Sequence, residues 1–220
     1  MSAATMSVTA DVLRVTEAAV VSGVGVREVN RAYDEGILKA MVGAATDRLL
    51  SVGACTAVAF YFGAAKRLTA EERLFAIGRV AARLRAMTAD DLRDSDARDW
   101  TVRDDFLTID MAPFVKATAA GLDRLAAARQ AVEASADVLG GMPVLKGTRV
   151  PVYDVAASVA AGQTQMALLA AFPTLSSEQI NLATVYADAY PSRGRPRLSP
   201  LPSQARLISE RRVPRRRHGE

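Results

Sequence analysis

Histidine is nearly absent from this sequence, and its scarcity excludes most catalytic chemistry. The only histidine, His218, lies in an arginine-rich stretch at the C-terminal end. Zinc sites built on histidine, serine–histidine triads and cysteine–histidine pairs all need that residue type. No P-loop or dinucleotide-binding glycine pattern occurs either. Carboxylate-only catalysis stays open, but no segment concentrates acids on an apolar background. We therefore expect a binding protein with no catalytic residue, metal site or cofactor.

Cysteine and long apolar runs are also scarce. Cys55 is the only cysteine, so no intramolecular disulfide can form. Apolar runs such as Ala57 to Phe62 are far too short to cross a bilayer. The first ten residues lack the basic start and apolar stretch of a secretory signal. We expect a cytoplasmic protein with no membrane partner.

Aromatic residues make up 5% of the chain, whereas 50% of the residues are hydrophobic and alanine dominates them. This composition favours closely packed helices over thick β-sandwiches. We expect a mainly α fold with short β-hairpins. Two winged helix-turn-helix-like (trihelical) domains, residues 1–99 and 100–190, should precede a disordered basic arm, residues 191–220 (hereafter the arm).

The N-terminal pattern indicates a winged helix-turn-helix. A short helix capped by Thr16, a glycine-containing turn and a second helix from Val26 to Glu35 precede two expected strands, Ile37–Val42 and Arg48–Ser51. In such units the second helix enters the major groove of DNA. The predicted DNA-binding residues are Val26, Arg27, Asn30, Arg31, Lys39 and Arg48. The alternative is a plain packing module, since Glu28, Asp34 and Glu35 dilute the positive charge.

The middle of the chain predicts two helices and a boundary. The stretch from Ser51 to Phe62 is ambiguous between helix and strand, and we favour a helix. The residues Thr69 to Glu72 form a capping box, which predicts a helix to about Met87 with Leu74 on its inner side. The polar stretch 88–99 is predicted to be a solvated linker between the domains.

The C-terminal half predicts two short strands near residues 100–109, a long helix capped by Asp110, and a glycine-rich hairpin over 138–151. Three short helices should follow up to Pro191. The last of them contains no lysine or arginine, which argues for self-association or partner contact rather than DNA binding. Apolar residues expected to mediate a homodimer are Leu168, Leu169, Ile180, Leu182 and Val185.

The glycine-rich hairpin has two interpretations. Its amide groups are candidates for binding phosphate, assisted by Lys146 and Arg149. Alternatively, its glycines permit positive φ in a turn, and Arg149 pairs with a carboxylate. We favour the turn, because no helix begins directly on the glycines.

The charge of the chain is concentrated in the arm. Nine arginines and two glutamates lie from Pro191 onward, whereas acidic groups exceed basic ones in the preceding residues. Prolines and apolar residues separate these arginines, and guanidinium groups bind carboxylates in a bidentate manner. The arm therefore suits an acidic protein groove, with nucleic acid as the alternative target and a dispensable tail as the third possibility.

The stretch from Val138 to Pro191, about a quarter of the chain, resembles domain-of-unknown-function family 433, a bacterial antitoxin family. The resemblance lies in Gly140-Gly141-Met-Pro143-Val-Leu-Lys146-Gly147-Thr148-Arg149-Val-Pro151, Phe172-Pro173-Thr-Leu175 and Tyr186-Ala187. Residues Val15 to Leu38 are similar to MerR-type or excisionase helices. The whole layout, ending in the arginine–proline arm, resembles VapB-type antitoxins.

The antitoxin resemblance implies a function. Such proteins neutralise a PIN-like ribonuclease toxin, repress their own operon, and form homodimers within a toxin–antitoxin hetero-oligomer. The expected partners are therefore the toxin and operator DNA. The alternative is a stand-alone MerR- or excisionase-like regulator with a nucleic-acid-binding tail, and a scaffold subunit is a third class. The residues expected to bind the toxin are Arg193, Arg195, Arg197, Leu201, Arg206, Leu207, Arg211, Arg212, Arg215 and Arg216.

Overall fold

The computed structural model describes residues 12–39, 48–94, 98–136 and 139–192. Over these residues the fold is mainly helical with short antiparallel strand pairs, as the composition predicts. The elements in chain order are β1 Val12–Arg14, α1 Val15–Ser22, α2 Val26–Asp34, β2 Leu49–Ser51, α3 Val52–Gly63, α4 Ala70–Arg85, α5 Ala89–Arg93, β3 Thr101–Asp104, β4 Leu107–Asp110, α6 Ala112–Gln130, β5 Val132–Glu133, β6 Val144–Leu145, α7 Val152–Ala160, α8 Gln165–Ala171 and α9 Ser177–Ala189.

The first two helices form close to the positions that the sequence predicts, but the expected cap at Thr16 is wrong, because α1 begins at Val15 after Arg14 and Thr16 lies within the helix. Gly23 adopts a left-handed conformation with φ 66° and ends α1, which lets the chain turn sharply into α2. At the start of α1, the Arg14 backbone N–H donates to Glu17 Oε2 over 2.8 Å. Gly36, with φ 70°, follows α2. The helices α1 and α2 are therefore joined by a short turn that begins at Gly23.

The expected pairing of the strands Ile37–Val42 and Arg48–Ser51 is wrong. The residues Leu49–Ser51 instead pair antiparallel with Val12–Arg14, and Leu13 lies opposite Leu50. Ile37 and Leu38 lie in a turn, where their side chains are buried in the core. Because Leu13 and Leu50 are both buried, the β1–β2 ribbon also contributes to that core. Residues 40–47 lie outside the described part of the chain.

The helix expected over Ser51–Phe62 is confirmed as α3. The Ser51 side chain caps it by accepting a hydrogen bond from the Ala54 N–H over 3.2 Å. All residues from Val52 to Tyr61 are buried. A helix buried on all sides shows no amphipathic period, which explains why the sequence pattern was ambiguous.

Two glycines bring helix backbones into close contact. A Cβ atom added to Gly53 of α3 would lie 1.9 Å from the carbonyl oxygen of Leu84 in α4. A Cβ atom on Gly121 of α6 would lie 2.3 Å from the carbonyl oxygen of Val21 in α1. At both helix crossings, only a residue without a side chain fits.

The capping box at Thr69 is confirmed, but Leu74 lies on the outer side of α4 with 43% of its surface exposed. The expected solvated linker at 88–99 is also incorrect in part. It contains the short helix α5, in which Leu92 is fully buried. Arg93 ties α5 to α6 by donating to Asp123 over 2.8 Å. The described polar residues of this stretch therefore lie on its outer side, whereas Leu92 packs into the core.

The buried residues form two cores. The first extends from Leu13 to Leu125 and includes Ala189, and the second comprises Leu145, Val152, Val155, Leu168, Leu175, Ile180 and Ala183. Buried residues on both sides of residue 99 belong to the first core. The α9 helix contributes to both, so it joins them. The domain boundary at residue 99 stays a prediction.

The C-terminal half contains the expected strand pair β3–β4, the long helix α6 and three short helices. Asp110 Oδ1 accepts a hydrogen bond from the Ala112 N–H over 2.8 Å at the start of α6. Val144 and Leu145 in β6 pair with β5, and Val144 also bridges to Pro151. In the described residues, no helix has both the length and the apolar character needed to cross a membrane.

Candidate nucleic-acid interface

The outer side of α2 carries four of the predicted DNA-binding residues. Val26, Arg27, Asn30 and Arg31 follow the spacing of one helix face, which we call the α2 face. Arg27 and Arg31 are exposed, 41% of Val26 is exposed, and Asn30 is half-buried. The opposite side of α2 is buried in the first core. Packing therefore leaves the α2 face accessible.

Arg48 lies against this face, although it comes from the segment before β2. Its Nη1 donates to Asn30 Oδ1 over 2.7 Å, and its Nη2 donates to Asp34 Oδ1 over 3.1 Å. The guanidinium carbon lies 6.0 Å from the ring centroid of Tyr33. Tyr33 Oη in turn donates to the carbonyl oxygen of Leu49 over 2.7 Å. The structure thus brings Asn30 and Arg48 together.

Arg31 is engaged within its own helix. Its Nε donates to Glu35 Oε1 over 2.7 Å, and its guanidinium carbon lies 6.0 Å from the ring centroid of Phe62. The hydrogen bond with Glu35 raises the pKa of Arg31. Both side chains are largely exposed, so this ion pair is weak and exchangeable.

Arg27 and Lys39 differ from Arg31 and Arg48, because neither of them forms an ion pair within the described residues. Arg27 is exposed and has no hydrogen-bond or ion-pair partner among the described residues. Lys39 is exposed and folds back over Gly36, where a Cβ atom would lie 2.7 Å from Lys39 Cε. Lys39 also lines a shallow cavity of about 270 Å³ with Tyr33 and Asp34. Both cations are available to an anionic partner without breaking an ion pair.

Three carboxylates reduce the positive charge of this surface. Glu28 accepts a hydrogen bond from the Gly25 N–H at the start of α2, so it stabilises the helix. Asp34 and Glu35 pair with Arg48 and Arg31. Phosphate contacts by these two arginines would therefore replace intramolecular ion pairs.

A partly buried network that the sequence did not indicate connects α1, α6 and the end of α9. Glu17 Oε1 accepts hydrogen bonds from Tyr190 Oη over 2.6 Å and from Arg129 Nη2 over 2.8 Å. Arg129 Nε also donates to Tyr190 Oη. Close by, Thr16 Oγ1 donates to the carbonyl oxygen of Ala189 over 2.7 Å. The N-terminal helices are thereby attached to the residue that precedes the arm.

The network shifts the acidity of its members. Burial raises the pKa of Glu17, but the hydrogen bonds from Tyr190, Arg14 and Arg129 outweigh it, so the net pKa is lowered. Burial and the hydrogen bond to Glu17 raise the pKa of Tyr190 to about 12. The pair is thus a carboxylate with a neutral phenol at neutral pH. Because the three residues are far apart in sequence, no local pattern could have identified them.

The glycine-rich loop adopts the turn conformation that we favoured. Gly140, Gly141 and Gly147 all have positive φ. The Gly147 N–H donates to Glu133 Oε1 over 3.2 Å. This amide group, which would be needed to bind a phosphate, is therefore already bonded to a carboxylate. The expected pairing of Arg149 with a carboxylate is not seen among the described residues.

Two of the residues expected to mediate a homodimer are unavailable. Leu168 and Ile180 are buried in the second core, so they cannot contact a partner. Leu169, Leu182 and Val185 are half-buried. Of the five predicted contact residues, Leu169, Leu182 and Val185 therefore still expose part of their surface.

The described residues contain no cluster of three or more histidine, cysteine, aspartate or glutamate side chains placed to hold a metal ion. Cys55 is buried, and this burial raises the pKa of its thiol to about 12. The residues expected to bind a toxin, Arg193 through Arg216, lie outside the described part of the chain.

Comparison with known proteins places this chain in a family. The uncharacterized protein y4eO of Sinorhizobium fredii (strain NBRC 101917 / NGR234) is 51% identical over 218 residues, which cover 96% of this chain and 97% of that protein. The chain belongs to the y4eO family. A second family, described as a protein of unknown function (DUF433), matches residues 132–187 and confirms that part of the resemblance. No solved structure matches the chain.

The DUF433 match covers β5, β6 and most of the α7–α9 unit, including the glycine-rich loop. The α2 face lies outside it. This chain therefore combines a DUF433 match with an N-terminal helix pair, α1–α2, that lies outside the match. Neither family description names an activity.

Proposed function

We propose that the protein is a DNA-binding antitoxin, in which the α2 face binds operator DNA and the arm inhibits a PIN-like ribonuclease. The single observation that carries the DNA-binding part is the arrangement of Arg48 beside Asn30 on an exposed helix face. Arg27 and Arg31 flank this pair. The unit is proposed to act as a winged helix-turn-helix in which the β1–β2 ribbon, and not the hairpin expected from the sequence, serves as the wing.

The residue types of the α2 face suit base recognition. Asparagine binds adenine through two hydrogen bonds, and arginine binds guanine in the same manner. Arg48 holds the Asn30 side chain by its oxygen, while Asn30 Nδ2 donates to the Val26 carbonyl oxygen over 3.0 Å. Asn30 is therefore restrained before DNA arrives, which lowers the entropy lost on binding.

The α9 helix is a poor alternative for DNA binding. It carries Glu178 and Asp188 and no cation, so it would forgo the phosphate attraction that dominates affinity. It also packs against α1, α6 and α7. We assign it a structural role between the two cores.

The DNA-binding part is tested by footprinting the full chain on the fragment upstream of its own gene. Protection of a defined site, with a sequence-matched but shuffled fragment unprotected, is the expected result. Equal binding to both fragments would contradict a specific operator function.

The antitoxin part rests on the charge and the starting point of the arm. A PIN-like nuclease concentrates carboxylates for Mg²⁺, and these repel one another when the metal is absent. An arginine of the arm would satisfy two carboxylate oxygens at once. The arm leaves from Tyr190, which Glu17 and Arg129 hold in place. Thirty residues at about 3.3–3.6 Å each reach about 100 Å, enough to wrap a small partner.

The test of the antitoxin part uses the product of the neighbouring open reading frame, assayed as a ribonuclease. Deleting residues 193–220 should abolish inhibition and preserve operator binding, because Tyr190 and its hydrogen bonds remain. Replacing the arm arginines with lysine should weaken inhibition at constant charge, since lysine lacks the bidentate geometry. Full inhibition by the truncated protein would show that the arm is not the inhibitor.

A stand-alone regulator is the second candidate, because the α2 face is complete without the arm. In that case deleting residues 193–220 would reduce only salt-sensitive, sequence-independent DNA affinity. A neighbouring product without ribonuclease activity would favour this candidate.

A further inference from the structure

The outer side of α4 is an apolar surface. Leu74 and Phe75 expose 43% and 39% of their surface, and Ala82 and Ala86 follow at helical spacing on the same side. The opposite side of the helix, which includes Ile77, is buried in the first core. Large apolar side chains exposed together on one helix mark a contact surface.

Gly78 lies at the centre of this surface. A Cβ atom added to it would meet no described atom within 4 Å. Glycine in a helix interior costs about 1 kcal/mol relative to alanine. At Gly53 and Gly121 the close approach of another helix explains the glycine, whereas at Gly78 no helix of the described chain approaches. The close approach of a helix from another molecule would likewise explain why residue 78 is a glycine.

Two residues of opposite charge lie at equal distances along the helix on either side of Gly78. Glu71 lies seven positions before it and Arg85 seven positions after it, on the same side of the helix. Both are exposed, and neither has a hydrogen-bond or ion-pair partner within the described ranges. Leu74 and Ala82 are likewise placed symmetrically, four positions on either side. This pattern is self-complementary for two antiparallel helices.

We propose that α4 is the interface of a homodimer, in which two α4 helices pack antiparallel about a two-fold axis at Gly78. Each Glu71 then faces the second copy's Arg85, and each Leu74 packs over the second copy's Ala82. The symmetry makes every contact occur twice, as an isologous interface requires. Antiparallel packing also sets the two helix dipoles in opposite directions.

A second copy fits this surface better than the arm does. Arg79, Arg83 and Arg85 on α4 would repel a segment with nine arginines. An acidic peptide would in turn be repelled by Glu71 and Glu72. The matching partner carries an acidic and a basic residue in the reverse order along its helix, and an antiparallel second copy of α4 has this order.

The first experiment is sedimentation equilibrium of the full chain between about 1 and 100 µM, a range chosen for a weak dimer. Gly78→Met should weaken the dimer about tenfold or more, since its side chain separates the two helices. The same substitution should leave the monomer's melting temperature unchanged or raised, because the site is open within the chain and methionine favours helix. A wild-type chain that is monomeric at 100 µM, or a Gly78→Met dimer of unchanged affinity, would overturn the proposal.

The second experiment exchanges the charges. Glu71→Arg and Arg85→Glu should each weaken the homodimer about tenfold, because each change creates two like-charge contacts. Mixing the two variants should restore association as a heterodimer, in which every opposite-charge pair is re-formed. Glu178→Arg, an exposed charge reversal on α9, is the matched control and should have no effect. Failure of the mixture to associate would also overturn the proposal, and that result would leave DNA binding by the α2 face untouched.

Discussion

Tyr190 donates a hydrogen bond to Glu17 over 2.6 Å, although 173 positions separate the two residues. Glu17 is 7% exposed and lies in α1, whereas Tyr190 is the residue after α9. Arg129 of α6 donates to both. One carboxylate thus links α1, and with it the proposed DNA-binding element, to the residue that precedes the arm.

Removal of the Tyr190 hydroxyl should destabilise the protein. The Tyr190→Phe variant is expected to lose about 1.5–3 kcal/mol of unfolding free energy, because the lost hydrogen bond is made to a charged group. Urea unfolding measures this loss. Tyr186→Phe is the control, since its ring lies 4.8 Å from that of Tyr190 but its hydroxyl has no hydrogen bond among the described residues. Equal losses in both variants would mean that the cost comes from losing a tyrosine hydroxyl in general and not from the hydrogen bond to Glu17, which would contradict the prediction.

The Glu17 carboxylate should make stability depend on acid pH. Its pKa in the folded protein is lowered from 4.5, so the unfolded chain binds the proton first as pH falls. Its contribution is complete above about pH 4.5 and is lost as pH falls through the lowered pKa. Asp91 and Asp99 also have lowered pKa values and contribute to acid sensitivity in any variant.

The Glu17→Gln variant isolates this contribution. Its unfolding free energy, measured across the acid range, should decline less steeply than that of the wild type. Parallel declines would show that Glu17 is not the group responsible.

Helical glycines should respond to alanine in opposite directions. Gly121→Ala places a Cβ atom 2.3 Å from the Val21 carbonyl oxygen, so α1 and α6 must separate, at a cost of about 1–3 kcal/mol. Gly78→Ala meets no described atom within 4 Å and should stabilise the monomer by about 1 kcal/mol. Thermal unfolding at low protein concentration distinguishes them. A stabilised Gly121→Ala variant would contradict the close helix contact.

The elements with local signals were predictable from the sequence. The capping box at Thr69 and the turn glycines at Gly23 and Gly36 located helix ends, because these features act within a few residues of themselves. The DUF433 region was recognised from its motif for the same reason. The exposed α2 face followed from the periodicity of its helix.

Features that depend on distant residues could not be predicted. The partner of β2 is β1 rather than its sequence neighbour, because burial of Leu13 and Leu50 decided the pairing. The acidic stretch after Thr88 has the pattern of a linker, because the one large apolar residue, Leu92, gives too little periodicity to predict a helix. Arg48 was placed on the DNA-binding surface, but its pairing with Asp34 had no sequence signal.

Release of Arg31 from its intramolecular partner should strengthen DNA binding. In Glu35→Gln the ion pair is lost, Arg31 becomes available, and one negative charge near the phosphates disappears. We expect affinity for operator DNA to rise by roughly two- to fivefold at low salt, with a steeper salt dependence. Fluorescence anisotropy over a salt series measures both quantities. Weaker binding would indicate that the Arg31–Glu35 pair orients Arg31 for its contact.

The most direct test of the account compares the operator affinity of the wild type with that of the Arg27→Ala/Asn30→Ala/Arg31→Ala variant. Gel-shift titrations on the upstream fragment and on a shuffled fragment separate specific from non-specific binding. We expect the variant to lose its preference for the upstream fragment, with Arg31→Ala alone costing about 1–3 kcal/mol if it contacts a base. Undiminished specific binding by the triple variant would contradict the assignment of the α2 face.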